Sequence, residues 1–91
     1  MRHYFSPRFE HDYKKLSLSE QKAVDEAVET LLQYLDRQIE LPHGLGLKRL
    51  AGQYWEARTS LKTRIIFELK DPLGFLLVGS HETVRRFIQD G

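Results

Sequence analysis

The sequence predicts an α+β fold in which a helical hairpin packs on one face of a small, mainly antiparallel, twisted sheet. Three observations carry this expectation. Val24, Ala27, Val28, Leu31, Leu32 and Leu35 recur at i, i+3, i+4, i+7, the spacing of an amphipathic helix. The stretch Tyr54 to His81 instead reads as three consecutive strands, with polar and apolar side chains alternating along the first two. Between them Pro42, Gly44 and Gly46 interrupt any regular pattern. Helices grouped early and strands grouped late make α+β rather than α/β.

Taken in order, the elements read β-α-α-β-β-β-β-α. His3 to Phe5 is a short strand. Ser6 caps a first helix, with Pro7 at the position where its missing N–H costs nothing. Phe9, Tyr13 and Leu16 give that helix its apolar side. Ser17 and Glu20 form an S-x-x-E capping box, so a second helix starts near Leu18. Asp36 to Gly46 is a linker within the domain. Leu47 to Leu50 is a strand, and Ala51-Gly52-Gln53 turns the chain. Tyr54 to Ser60 and Thr63 to Leu69 are strands joined by a tight Leu61-Lys62 connection. Asp71-Pro72-Leu73-Gly74 is a turn. Phe75 to Gly79 is nearly all apolar, as a central strand covered on both faces would be. Ser80 caps a last helix with a stripe of Val84, Phe87 and Ile88. The helical hairpin is expected on one face, which leaves the other face open to a ligand.

Composition narrows the class. A chain of 91 residues with 41% hydrophobic and 30% charged residues is one soluble domain, 1–91. The absence of cysteine excludes disulfides and thiolate chemistry. No apolar run approaches the roughly 18 residues of a membrane helix, and no signal-peptide core is visible, so the expected location is cytoplasmic. Net charge is only +1, but it is unevenly spread. Lys48, Arg49, Arg58, Lys62 and Arg64 face a single acid, Glu56, between residues 48 and 64. Such a patch fits a phosphate-bearing ligand; it also fits a sheet edge whose lysines block aggregation.

Glu56, Arg58, Arg64 and His81 carry the chemistry in this reading. Glu56 and Arg58 share a strand face, and an in-register hairpin sets Arg64 across from them. His81 follows the last strand. Metal-free RNA cleavage needs a base for the 2′-hydroxyl, an acid for the departing 5′-oxygen and cations for the phosphorus centre. A carboxylate or imidazole, an imidazolium and arginine forks supply those parts. The plainer alternative is that Glu56 pairs with Arg64 across the strands and His81 only starts a helix. His3, His11 and His43 lack partners at ligand spacing, so neither a metal nor a cofactor is expected.

The segments LKRLAGQYWEARTSLKTRIIF and FLLVGSHETVRRF resemble the RelE/ParE superfamily of toxins from type II toxin–antitoxin pairs, and the element order matches over nearly the whole chain. In the RelE-like branch the resemblance implies a ribosome-dependent mRNA endoribonuclease without a metal. Arg64 then corresponds to a phosphate-binding cation and His81 to a general acid or base. Glu56 stands where some members carry a base, and Lys48 and Arg49 stand where basic residues contact RNA. Lys62 and Arg85 complete the expected RNA-binding set. Phe87 stands where some members carry a tyrosine; lacking the hydroxyl, it retains only stacking. The resemblance also implies a cognate antitoxin as partner. The ParE-like branch implies instead a DNA gyrase inhibitor without nuclease activity. A third alternative is a non-toxic binding module that retains the fold.

Overall fold

The computed structural model describes residues 2–36 and 46–90. Most of the linker expected at Asp36 to Gly46, with Pro42, His43 and Gly44, lies outside the described residues. The elements are β1 (His3–Phe5), α1 (Pro7–Lys14), α2 (Leu18–Leu35), β2 (Lys48–Ala51), β3 (Tyr54–Arg58), β4 (Arg64–Glu68), β5 (Leu73–Gly79) and α3 (His81–Asp90). The order matches the sequence reading. The boundaries tighten: β3 ends at Arg58, and the β3–β4 connection is a five-residue loop because Arg58 and Arg64 are its closing pair. Leu73 and Gly74 belong to β5 rather than to the preceding turn, which contains a cis Asp71–Pro72 peptide.

Helix starts follow local hydrogen bonding. The Ser6 hydroxyl oxygen accepts from Phe9 N–H at 3.0 Å and donates to the Leu76 carbonyl at 2.6 Å, so one side chain caps α1 and ties it to the sheet. The Ser17 oxygen accepts from Glu20 N–H at 3.2 Å. The Glu20 carboxylate does not return that contact as a capping box would; it accepts from the Thr63 hydroxyl at 2.8 Å.

The five strands lie in the order β1-β5-β4-β3-β2. β2 to β5 form an antiparallel meander, and β1 joins β5 in parallel. Gly52 turns β2 into β3 at a φ of 54°, a left-handed conformation that glycine enters without steric cost. A bulge in the β4–β5 pairing pairs Ile66 with Leu77 and Phe67 with Phe75, leaving Leu76 as the extra residue.

Each sheet face has its own core. Phe9, Val24, Ala27 and Leu31 from the helical hairpin pack on Ala57, Ile65, Phe67, Leu73, Phe75 and Val78. On the opposite face Ile66, Leu77 and Val84 form a smaller cluster joined by Leu50, Leu76 and Phe87. The sequence left that second face bare; α3 instead crosses it. A stripe of three apolar residues shows that a helix will dock, not on which side of the sheet it does so.

Candidate active site

Period-two alternation sets Lys48 on β2, Glu56 and Arg58 on β3, and Arg64 on β4 toward the face that α3 crosses. Register then fixes neighbours: Lys48 stands opposite Glu56, Arg58 opposite Arg64, and Arg64 opposite Gly79. Gly79 matters through its missing side chain. A Cβ there would come within 2.9 Å of Thr83 Cβ and Cγ2, so only glycine lets the first turn of α3 fold this closely over the strand end. Ser80 caps that turn by accepting from Thr83 N–H at 3.2 Å. Together they bring His81 onto Arg64.

The centre of the site is the Arg64 guanidinium. Its Nη1 contacts His81 Nδ1, and its Nε lies 3.5 Å from Glu56 Oε1. An arginine can only donate, so Nδ1 is the acceptor and the ring proton sits on Nε2. Side-chain exposure is 16% for Arg64 and 11% for Glu56, so the pair is largely withdrawn from water. It is not a saturated pair. The buried Nε–H has no hydrogen-bond partner, because the carboxylate is within ion-pair reach but outside hydrogen-bond geometry.

The remaining cations differ in placement. Arg58 is exposed, and no described residue pairs with its guanidinium. Lys48 and Lys62 are exposed, the first beside Glu56 in register and the second in the β3–β4 loop. Arg49 belongs to the other face of β2, opposite Trp55, and its Nε donates to the Gly52 carbonyl at 2.9 Å. Arg85 is exposed on α3 and pairs with Glu82 at 3.6 Å. The Phe87 ring meets Tyr54 edge-on at 5.5 Å and packs on the second core, so it is spent on docking α3. The structure thus gathers Glu56, Arg64 and His81, with Arg58, Lys48 and Lys62 at the same end of the sheet. It sets Arg49 and Phe87 to other tasks. Gly79 and Thr83 are the positions that residue-type reasoning missed; close packing is their only signal. Among the described residues no three histidine or acidic side chains gather as metal ligands.

A further cavity lies elsewhere. A groove of about 390 Å³ runs between α1 and α2, lined by Phe5, Phe9, Tyr13, Val24, Val28 and Leu32, with Glu10, Lys14, Asp25 and Glu29 as its charged lining. Apolar walls without a reactive group suit a partner's side chains, not phosphate chemistry. Tyr13 donates to Asp25 at 2.8 Å, and that hydrogen bond, with burial and the carboxylate charge, raises the phenol above its usual pKa.

No protein-family profile matches the sequence, and no curated protein matches it significantly. Solved structures do match the fold. The RelB–RelE antitoxin–toxin complex from Methanococcus jannaschii aligns with a TM-score of 0.69 at 19% identity, over 91% of this chain and 95% of that one. The E. coli DinJ–YafQ toxin–antitoxin complex aligns with a TM-score of 0.63 at 21% identity, over 90% and 93%. A YoeB/ParE toxin from Agrobacterium tumefaciens aligns with a TM-score of 0.63 at 20% identity, over 89% and 99%. The agreement spans both chains almost end to end, and by it this chain has the fold of the RelE/ParE toxins.

Proposed function

We propose that the chain is the toxin of a type II toxin–antitoxin pair and acts as a ribosome-dependent mRNA endoribonuclease. One observation carries the chemistry: a single guanidinium with an unspent donor stands between a carboxylate and an imidazole at the basic end of the sheet. A phosphate that takes the Arg64 fork, with Arg58 beside it, draws the guanidinium away from both neighbours. Glu56 then accepts the 2′-hydroxyl proton, and the freed oxygen attacks the adjacent phosphorus. The P–O5′ bond breaks to leave a 2′,3′-cyclic phosphate. His81, protonated at the Nδ1 that Arg64 has vacated, gives its proton to the 5′-oxygen. DNA lacks the attacking hydroxyl and is not a substrate. Lys48, Lys62 and Arg85 contact RNA phosphates.

The antitoxin is the protein partner in this reading; two of the similar structures are toxin–antitoxin complexes. Its apolar segment fills the α1–α2 groove, where Glu10, Asp25 and Glu29 outweigh Lys14 and favour a basic flank.

The test is induction of the chain alone. Growth and translation stop, and primer extension maps cuts inside codons of ribosome-bound messages. If Arg64→Ala and His81→Ala both leave toxicity intact, the catalytic assignment is wrong. The Glu56–Arg64 pair favours a second reading, because two groups that satisfy each other's charge need no substrate. That reading is a gyrase inhibitor without nuclease activity, and it predicts an SOS response with messages uncut. Unaffected growth favours a non-toxic binding module.

A further inference from the structure

Besides Glu56, the buried polar residue of the described chain is Thr63, 4% exposed and directly before Arg64. All its polar groups are used. Its hydroxyl donates to Glu20 Oε2 at 2.8 Å, 43 residues away in sequence. Its N–H donates to the Ser60 hydroxyl at 3.1 Å. Its carbonyl accepts from the Thr59 N–H at 3.0 Å, the Thr59 hydroxyl at 3.1 Å and the Ser60 N–H at 3.3 Å. The β3–β4 loop is therefore folded around Thr63, and Thr63 is fastened to the first turn of α2.

Electrostatics explains the need for a fastening. Arg58 and Arg64 are direct cross-strand partners, and Lys62 lies between them in the loop. Like charges set opposite one another push a strand pair apart. The hairpin end must nevertheless hold Arg64 where Glu56 and His81 meet it. We propose that Glu20 and Thr63 are positioning residues: their carboxylate–hydroxyl contact ties α2 to the hairpin end and fixes Arg64 for catalysis. The inference rests on the endoribonuclease reading for its effect on rate. For its effect on geometry it stands on the hydrogen bonds alone.

The test compares Thr63→Val and Glu20→Ala, which lose the contact, with Thr63→Ser and Glu20→Gln, which keep a donor and an acceptor. Leu31→Val, a change in the core beneath the helical hairpin that leaves the Glu20–Thr63 contact untouched, serves as the control for lost stability. Single-turnover cleavage of ribosome-bound message falls by about 10- to 100-fold in the first pair, the scale of a misplacement near 1 Å, and stays near parental in the other three. The second readout is the Arg64 Nε–H and His81 ring resonances by NMR, which shift in the first pair only. Parental cleavage by Thr63→Val beside an inactive Arg64→Ala overturns the tether and leaves the nuclease reading standing. Equal loss in Leu31→Val also overturns it. If the parent cleaves nothing, the nuclease reading fails and the resonances decide: unshifted signals in Thr63→Val overturn the tether, and shifted ones support it.

Discussion

Arg64 carries two obligations at once, since its charge balances Glu56 and its fork is the proposed phosphate clamp. Removing a partner from a buried ion pair strands the other charge, at a cost of about 3–5 kcal/mol. Arg64→Ala therefore loses stability as well as function. Arg64→Lys separates the two: the cation stays, so the melting temperature stays close to parental, while loss of the planar fork lowers cleavage by about 10- to 100-fold. Equal cleavage by the lysine variant sinks the clamp. Gly79 is as exacting for a steric reason. Gly79→Ala drives a methyl into Thr83 and lifts His81 off Arg64. The sheet still melts cooperatively, but the His81 ring resonance moves to that of a histidine with no guanidinium against it. Tyr13 sets a pH dependence. Its phenol donates to Asp25, and a phenolate would face that carboxylate, so the folded chain holds this proton more tightly than the unfolded chain does. The stabilisation is full below the unfolded value near 10 and is lost as pH rises through the higher folded value. Tyr13→Phe removes that part of the alkaline decline in melting temperature; an identical decline in both proteins contradicts it.

Among the helices, α3 is held through the smaller of the two cores. Val84 and Phe87 are its contributions to the second core, and Ile88 is 47% exposed. Val84→Ala deletes two buried methyl equivalents, about 2 kcal/mol with the cavity term. Much of that loss falls on α3 alone, so hydrogen exchange speeds up in residues 81–90 while β4 and β5 stay protected. Uniform loss of protection would show instead that α3 and the sheet unfold together. The helical hairpin behaves otherwise, because its stripe is built into the larger core. Ser17→Ala costs about 1 kcal/mol by leaving Glu20 N–H without its acceptor, a fall of about 4–8 °C in melting temperature for a domain this size. The hairpin was legible in the sequence because capping and stripe are local signals. The face taken by α3 was not, since a short stripe has no address until the sheet exists. Nor was the Leu76 bulge, which hides in a run of apolar residues where alternation carries no information.

For the molecule as a whole, charge is distributed by end rather than by total. A net charge of +1 describes a chain whose Arg58, Lys62, Arg64 and Lys48 lie at one end of the sheet, while the groove on the other face carries three acids and one lysine in its lining. Binding of single-stranded RNA should therefore weaken with salt despite the near-zero net charge. Arg58→Gln and Lys62→Gln each reduce the slope of log K against log salt by about 0.7 if the lost cation met a phosphate. An unchanged slope places that cation outside the RNA path. Glu56, Arg64 and His81 were legible as a group because alternation and register are simple geometry. The Glu20–Thr63 contact was not, since a link across 43 residues leaves no trace in spacing. The strand order bears on how the chain is born. β1 precedes the other described strands, yet among them it pairs with β5 alone, whose residues come about 70 positions later. Synthesis from the amino end thus delivers both hairpin helices before the strand that anchors Ser6 and stacks on Phe5 exists. A nascent chain halted before Leu73 should be digested readily by protease, and one halted after the last helix should resist. The assembly of the newborn polypeptide thus waits on one late strand.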